Sequence, residues 1–193
     1  ILGVVEGLTE FLPISSTGHL TITEQLLGLP VDDPAVTAYT AIIQFGAIVA
    51  TFIFFRDDIL RLGKAWFRGL TSAEHRTDRD YRFAWYVIAG SSPIVIAALL
   101  LKDVIAGPLR SLWVVAAALL LWSGVMYLAE KRGRQRIIEA DLTLKHVLII
   151  GLVQCIALVP GVSRSGATIS AGLLQDIDRV TATRLSFFLA IPA

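Results

Sequence analysis

The stretch Ile1-Leu-Gly-Val-Val-Glu6-Gly-Leu-Thr-Glu10-Phe-Leu-Pro13-Ile-Ser15-Ser16-Thr17-Gly18-His19 decides the fold of this chain. Ile1 to Leu12 is an apolar arm interrupted by two acids. It is too short to cross a hydrocarbon core of about 30 Å, which needs about 20 residues of helix. A polar turn, Pro13 to His19, follows, and then a second short helix from Leu20 to about Leu27. Helix, polar break, helix, with each arm about half a membrane, predicts a re-entrant hairpin. Irregular backbone at membrane depth is tolerated only where it is buried in protein or lines a wet cavity.

The same pattern returns near the other end. His146 to Val159 is apolar, Pro160-Gly-Val-Ser163-Arg164-Ser165-Gly166 breaks it, and a short helix runs to Leu174. An offset of 148 residues aligns Gly3 with Gly151, Val5 with Val153, Glu6 with Gln154, Ser15 with Ser163 and Gly18 with Gly166. Between the two copies lie three longer apolar runs, Val36–Phe55, Phe83–Leu101 and Leu112–Ala129. Each is long enough to span. An odd number of spans inverts the second copy. Inverted repeats with broken helices place a site near the midplane, where the repeats meet.

The fold expected is therefore all-α and integral to the membrane, one domain over 1–193. The first repeat covers about 1–130 and the second, incomplete, about 146–193. A further apolar segment begins near Thr183 and runs off the end. The first residue is Ile and both ends lie in apolar segments, so both ends are expected to be cut. A complete second repeat would need roughly 80 more residues by this architecture.

Composition agrees. Hydrophobic residues make up 55% and charged residues 17% of the 193 positions, where a soluble domain carries about 25% charge. The net charge of +1 gives no reason to expect nucleic acid. A single cysteine, Cys155, excludes an internal disulfide. Arg56–Arg82 carries seven Lys and Arg and Glu130–His146 carries five, against two in Lys102–Ser111 and none in Thr23–Pro34. The first two are expected in the cytoplasm and the others outside. The first hairpin then opens to the external side.

Glu6, Glu10 and Arg164 sit within the apolar hairpins. A charge at membrane depth costs at least about 2.5–3.5 kcal/mol on insertion scales and marks function by default. Glu6 and Glu10 are four apart and share a helix face. Such a pair favours a shared proton, a bound cation or a nearby Arg. Ser15, Ser16 and Thr17 supply hydroxyls, Gly18 a permissive backbone and His19 an imidazole. A Ser beside a His is the minimal nucleophile and base, although ordinary N-capping also uses such residues. In the second turn Arg164 offers a planar fork of donors suited to phosphate, between Ser163 and Ser165, with Gly166 and Thr168 following. Leu158 stands where Glu10 would be, and Ala167 where His19 would be. One copy carries acids and His, the other the cation. Gln44, in the first long span, can donate to the site or to another helix.

Glu6-Gly-Leu-Thr-Glu10-Phe-Leu-Pro-Ile-Ser-Ser-Thr-Gly-His19 and Pro160-Gly-Val-Ser-Arg-Ser-Gly-Ala-Thr168 resemble the two signature segments of the undecaprenyl-diphosphate phosphatases, also called bacitracin-resistance proteins. The resemblance extends over essentially the whole chain, including the Gln44-Phe-Gly-Ala-Ile span. It implies a bacterial inner-membrane enzyme that hydrolyses undecaprenyl diphosphate to the monophosphate, recycles the lipid carrier for cell-wall synthesis and confers bacitracin resistance. It implies Ser16 as nucleophile, His19 as proton carrier, Glu6 and Glu10 as the acidic motif, and Arg164 as phosphate clamp. It also implies dependence on a divalent cation, Mg²⁺ or Ca²⁺, which Glu6 and Glu10 would hold. The partners implied are a polyprenyl diphosphate lipid and membrane lipid, with a homo-oligomer left open. Broken helices and buried ionisable groups are also hallmarks of transporters, so the alternative reading is a transporter or flippase for a phosphate-bearing lipid.

Overall fold

A computed structural model describes residues 1–31, 33–106 and 111–192. Asp32, in the Thr23–Pro34 stretch, and Arg110, counted in Lys102–Ser111, lie outside the described residues. Helices account for most of the described chain, and no strand longer than a single bridge occurs among those residues.

Among the described residues, three helices are long and apolar enough to cross a membrane: α3 (Pro34–Phe54), α5 (Arg79–Ala106) and α6 (Leu112–Arg132). α5 and α6 contain the expected spans Phe83–Leu101 and Leu112–Ala129, and α3 covers Val36–Phe55 except Phe55, which is its C-cap. Their ends follow from local chemistry. Asp33 caps α3 by accepting from the Ala35 amide at 2.6 Å, and Pro34, which has no N–H to lose, takes the first helical position. Lys131 and Arg132 occupy the last turn of α6, where cations complement the helix dipole. Pro93 lies inside α5.

The short helices fall where the polar breaks put them. α1 covers Leu2–Thr9 and α2 covers Ser16–Leu26, joined by a turn through Pro13. α2 begins four residues before the expected Leu20, because Ser15 caps it. α7 (Leu144–Gln154) ends in a 3₁₀ turn over Cys155–Leu158, and α8 (Arg164–Leu174) follows. The last helix, α9 (Arg179–Ala190), starts ahead of Thr183, since Asp178 accepts from the Val180 and Thr181 amides.

One element differs from the sequence reading. Arg56–Thr71, expected as part of a charged loop, forms α4. Ile59, Leu62, Trp66 and Gly69 recur at helical spacing, and the first three pack on the core made by α5, α7, α8 and α9. Gly69 faces Tyr81 so closely that a Cβ would overlap its ring. An ion-pair network ties α4 down: Asp58 accepts from Arg61 at 2.7 Å and from Arg184 at 2.9 Å, and Arg61 also pairs with Asp80. Arg184 reaches Glu139 at 3.1 Å.

α7 crosses α5 at contact distance through two glycines. A Cβ at Gly151 would overlap the Gly90 carbonyl, and a Cβ at Gly90 would lie 2.6 Å from side-chain carbons of Val147 and Leu189. Small residues allow such close approach between apolar helices. Gly151→Ala is expected to cost about 1–3 kcal/mol as overpacking, read as a lower Tm in detergent. An unchanged Tm would refute the close crossing.

Candidate functional site

The turn between α1 and α2 meets the turn between the 3₁₀ segment and α8. Both helices begin with the same cap. Ser15 Oγ accepts from the Gly18 amide at 3.3 Å, and Ser163 Oγ accepts from the Gly166 amide at 3.1 Å. Each cap takes the third amide of its helix. The amides of Ser16 and Thr17, and of Arg164 and Ser165, make no protein hydrogen bond among the described residues. Ser15 holds φ at +66°, a left-handed conformation that is costly for a non-glycine residue and recurs at functional turns.

The glycines let the turns touch. A Cβ at Gly166 would sit 3.3 Å from the Pro13 carbonyl oxygen and 3.1 Å from Met126 Sδ. Ser165 Oγ donates to the Leu12 carbonyl at 3.2 Å and is 3.2 Å from Ser163 Oγ. Gly18 packs beside Leu119 of α6, whose methyls a Cβ would meet at 3.1 Å.

Glu10 is the centre of the arrangement. Its Oε2 accepts from the Ser16 hydroxyl at 2.6 Å, and its Oε1 accepts from Arg164 Nη2 at 2.7 Å. One carboxylate thereby joins the hydroxyl of the first turn to the guanidinium of the second. Arg164 makes no other side-chain hydrogen bond among the described residues, so the rest of its fork is available to a ligand. A cavity of about 240 Å³ lies over this trio, lined also by Thr9, Ser15, Thr17, Gln44, Ser163 and Ser165. On another side Glu10 and Arg164 border an apolar cleft formed by Phe11, Ile48, Phe52, Phe187 and Ile191.

Five residues singled out from sequence stand outside the cavity lining. Glu6 is 1% exposed, and neither of its oxygens has a hydrogen-bond partner among the described residues. His19 does not bond Ser16; its Nδ1 lies 2.8 Å from the Ser15 carbonyl. A carbonyl only accepts, so Nδ1 donates this hydrogen bond. Thr168 donates to Ser186 Oγ at 2.6 Å and fastens α8 to α9. Gly18 and Gly166 act through close packing. Thr9, Ile48, Ala157 and Val162 line the cavity without having been anticipated.

No three His, Cys, Asp or Glu side chains come together among the described residues. The donor set still fits a hard cation. Glu6 is a buried acid with no hydrogen-bond partner among the described residues, and Mg²⁺ typically takes one or two carboxylates plus waters and substrate phosphate oxygens.

Comparison with known proteins resolves the family. Residues 1–193 match the family described as bacitracin resistance protein BacA. The chain belongs to the BacA family. Its relatives include undecaprenyl-diphosphatase 3 of Frankia casuarinae, 60% identical over 192 residues, which cover all of this chain and 69% of the relative. Undecaprenyl-diphosphatase 1 of Streptomyces avermitilis is 56% identical over all of this chain and 70% of the relative. Undecaprenyl-diphosphatase of Acidothermus cellulolyticus is 57% identical over the same shares. In this BacA chain the three apolar helices make a multi-pass membrane protein.

Proposed function

We propose that this chain hydrolyses undecaprenyl diphosphate to undecaprenyl phosphate and inorganic phosphate, recycling the lipid carrier for bacterial cell-wall synthesis and conferring bacitracin resistance. The names of its relatives support the substrate. The observation that carries the chemistry is the Ser16–Glu10–Arg164 chain of hydrogen bonds between two helix starts. In this reading it brings nucleophile, base and anion clamp to one cavity, beside an apolar surface of Phe11, Phe52 and Phe187 along which an isoprenoid tail would leave.

In this reading the tail lies in the Phe11–Phe52–Phe187 cleft. The diphosphate enters the cavity, where Arg164 and the free amides of α2 and α8 hold its oxygens. Ser16 Oγ attacks the terminal phosphorus while its proton passes to Glu10. The bond from that phosphorus to the bridging oxygen breaks, and undecaprenyl phosphate leaves. Water then hydrolyses the phosphoserine and orthophosphate is released. His19 Nε2 carries protons one helical turn from Ser16. Gln44 and Thr17 donate to phosphate oxygens. Ser163, Ser165 and Thr168 hold Arg164 in place, while Gly18 and Gly166 let the turns close. Glu6, with Glu10, would hold Mg²⁺ or Ca²⁺, which would supply charge neutralisation on the phosphates. Positioning and electrostatic stabilisation carry the rate, as in phosphoryl transfer generally.

The shared caps, Ser15-x-x-Gly18 and Ser163-x-x-Gly166, support two inverted repeats of a single domain. They also support re-entrant hairpins meeting near the midplane. The excess of Lys and Arg in 56–82 and 130–146 supports an inner-membrane orientation with the site facing outward. The two repeats would close one site within a protomer, so a homo-oligomer is compatible with the chemistry and not needed by it.

The test is release of orthophosphate from undecaprenyl diphosphate by purified protein in detergent, where no gradient exists. Wild type is expected to release it. Arg164→Lys, which keeps the charge and loses the fork, is expected to lower kcat about 10²-fold. Folded wild-type protein that releases none with Mg²⁺ or Ca²⁺ present would leave a lipid transporter as the reading. Near-normal turnover by the Lys variant would remove the fork from the mechanism.

A further inference from the structure

α4 joins the end of the α3 span to the start of the α5 span, so it lies at the edge of the membrane on that side. Three stripes run along it. Ile59, Leu62 and Trp66 pack on the core. Leu60, Phe67 and Leu70 do not: they are 59%, 66% and 44% exposed. Their spacing, i, i+7, i+10, puts them on one face. Arg61, Lys64 and Arg68 form the third stripe, and at 100° per residue the exposed apolar stripe falls between the packed one and the basic one. An apolar face left open beside a row of cations is the pattern of a helix lying in the headgroup region. The rings beside α4 agree. Trp66 stacks edge-on to Trp85 at 5.9 Å, and Tyr81 to Trp85 at 6.4 Å. Trp and Tyr gather at that level of a membrane.

The basic stripe borders a hollow of about 410 Å³. Both signs of charge line it, Arg61, Lys64, Arg68 and Arg79 against Asp78 and Asp80. The acids are engaged. Asp80 pairs with Arg61, and Asp78 lies 3.4 Å from His75 Nδ1. On the same side of α4, Asp57 pairs with Arg56 at 3.7 Å. Lys64, Arg68 and Arg79 are exposed and make no side-chain hydrogen bond or ion pair among the described residues. The hollow therefore carries a positive surplus, next to hydrocarbon-like side chains. Its chemistry fits a ligand with an anionic head and apolar chains.

We propose that α4 is an interfacial helix and that Lys64, Arg68 and Arg79 hold the headgroup of an anionic glycerophospholipid, whose acyl chains pass over Leu60 and Phe67. By the excess of Lys and Arg in 56–82, the leaflet is the cytoplasmic one. This site shares no lining residue with the cavity over Ser16. It rests on nothing in the hydrolytic reading.

Lipid quenching tests it on the full chain in phosphatidylcholine nanodiscs. Cys155→Ala removes the one native thiol, and Thr71→Cys, at the exposed end of α4, takes a fluorophore. Phosphatidylglycerol or phosphatidylcholine, each with a nitroxide near the headgroup end of one chain, is titrated in. Phosphatidylglycerol is expected to quench with an apparent affinity at least about fivefold higher, the gain from one cation at an anionic lipid. Lys64→Gln with Arg68→Gln and Arg79→Gln is expected to bring the ratio toward one. Lys64→Arg with Arg68→Lys and Arg79→Lys is expected to keep it. A fluorophore at Ser111→Cys, past the other end of α5, is expected to show no preference. Equal quenching by both lipids at Thr71→Cys, or a preference that survives the Gln changes, would overturn the headgroup site. The same preference at Ser111→Cys would overturn its location. Quenching by neither lipid would set α4 clear of the bilayer and overturn the interfacial helix. No turnover is measured, so each of these failures leaves the phosphatase reading standing.

Discussion

Ser16→Ala is expected to abolish phosphate release, a loss of about 10⁴-fold or more in kcat, with the protein still folded. The size follows from removing a nucleophile, whose single loss collapses the whole catalytic unit. The fold should survive. Ser16 is the first residue of α2, while the cap is made by Ser15, whose Oγ accepts from Gly18. The change removes one hydrogen bond, to Glu10. Rapid quench with labelled diphosphate checks the role directly. A phosphoserine in wild type, absent in Ser16→Ala, is the expected pair of results. Direct incorporation of solvent oxygen without an enzyme intermediate would instead make Ser16 the group that positions a water, and the loss would then be nearer to 10²-fold.

Glu10→Gln is expected to lower kcat by about 10²–10⁴-fold, the usual range for a general base. The amide keeps the shape and can still receive one hydrogen bond on its oxygen. It cannot accept from Ser16 and Arg164 on two separate atoms, as the carboxylate does, and its NH₂ group would face a donor. The proton of Ser16 then has no acceptor, and the guanidinium loses its counter-charge. A discriminating measurement is the same substitution at Glu6. Glu6 makes no hydrogen bond and does not line the cavity among the described residues. Glu6→Gln should therefore leave phosphoserine formation possible and alter chiefly the dependence on Mg²⁺ or Ca²⁺. Identical pH and metal profiles for the two variants would place both acids in one role.

The long spans could be read from sequence because hydrocarbon demands unbroken apolar runs, and α3, α5 and α6 supply them. The hairpin turns could be read because Ser15-x-x-Gly18 and Ser163-x-x-Gly166 are local signals, set by residues three apart. α4 could not be read as a helix. Its charges hide a stripe, Ile59–Leu62–Trp66–Gly69, that makes sense only against a core assembled from α5, α7, α8 and α9. The partner of Ser16 was equally hidden. A helical count pairs Ser16 with His19, three residues on. The turn through Pro13 instead folds Glu10 back onto it. Glu24 falls in Thr23–Pro34, a stretch expected outside for its lack of Lys and Arg; it lies within α2 and is buried, because its helix continues to Leu26. The clasp between Ile137 and Ile177, where the Asp178 amide donates to the Ile137 carbonyl at 2.8 Å, joins segments far apart in the chain that no local pattern connects.

The division of the Glu10 carboxylate between Ser16 and Arg164 has a consequence for ligand exchange. At rest the guanidinium and carboxylate form a locally neutral couple, which under the proposed mechanism would let a phosphate clamp persist without an external anion. An arriving phosphate therefore does not meet a bare cation. It competes with Glu10 for the same guanidinium, so its net affinity is its attraction less that of the resting couple. A diphosphate anchored by its tail can win that competition. Under the proposed mechanism free orthophosphate would have no anchor, and the returning carboxylate would displace it, so the product would be expelled by the residue that helped to make it.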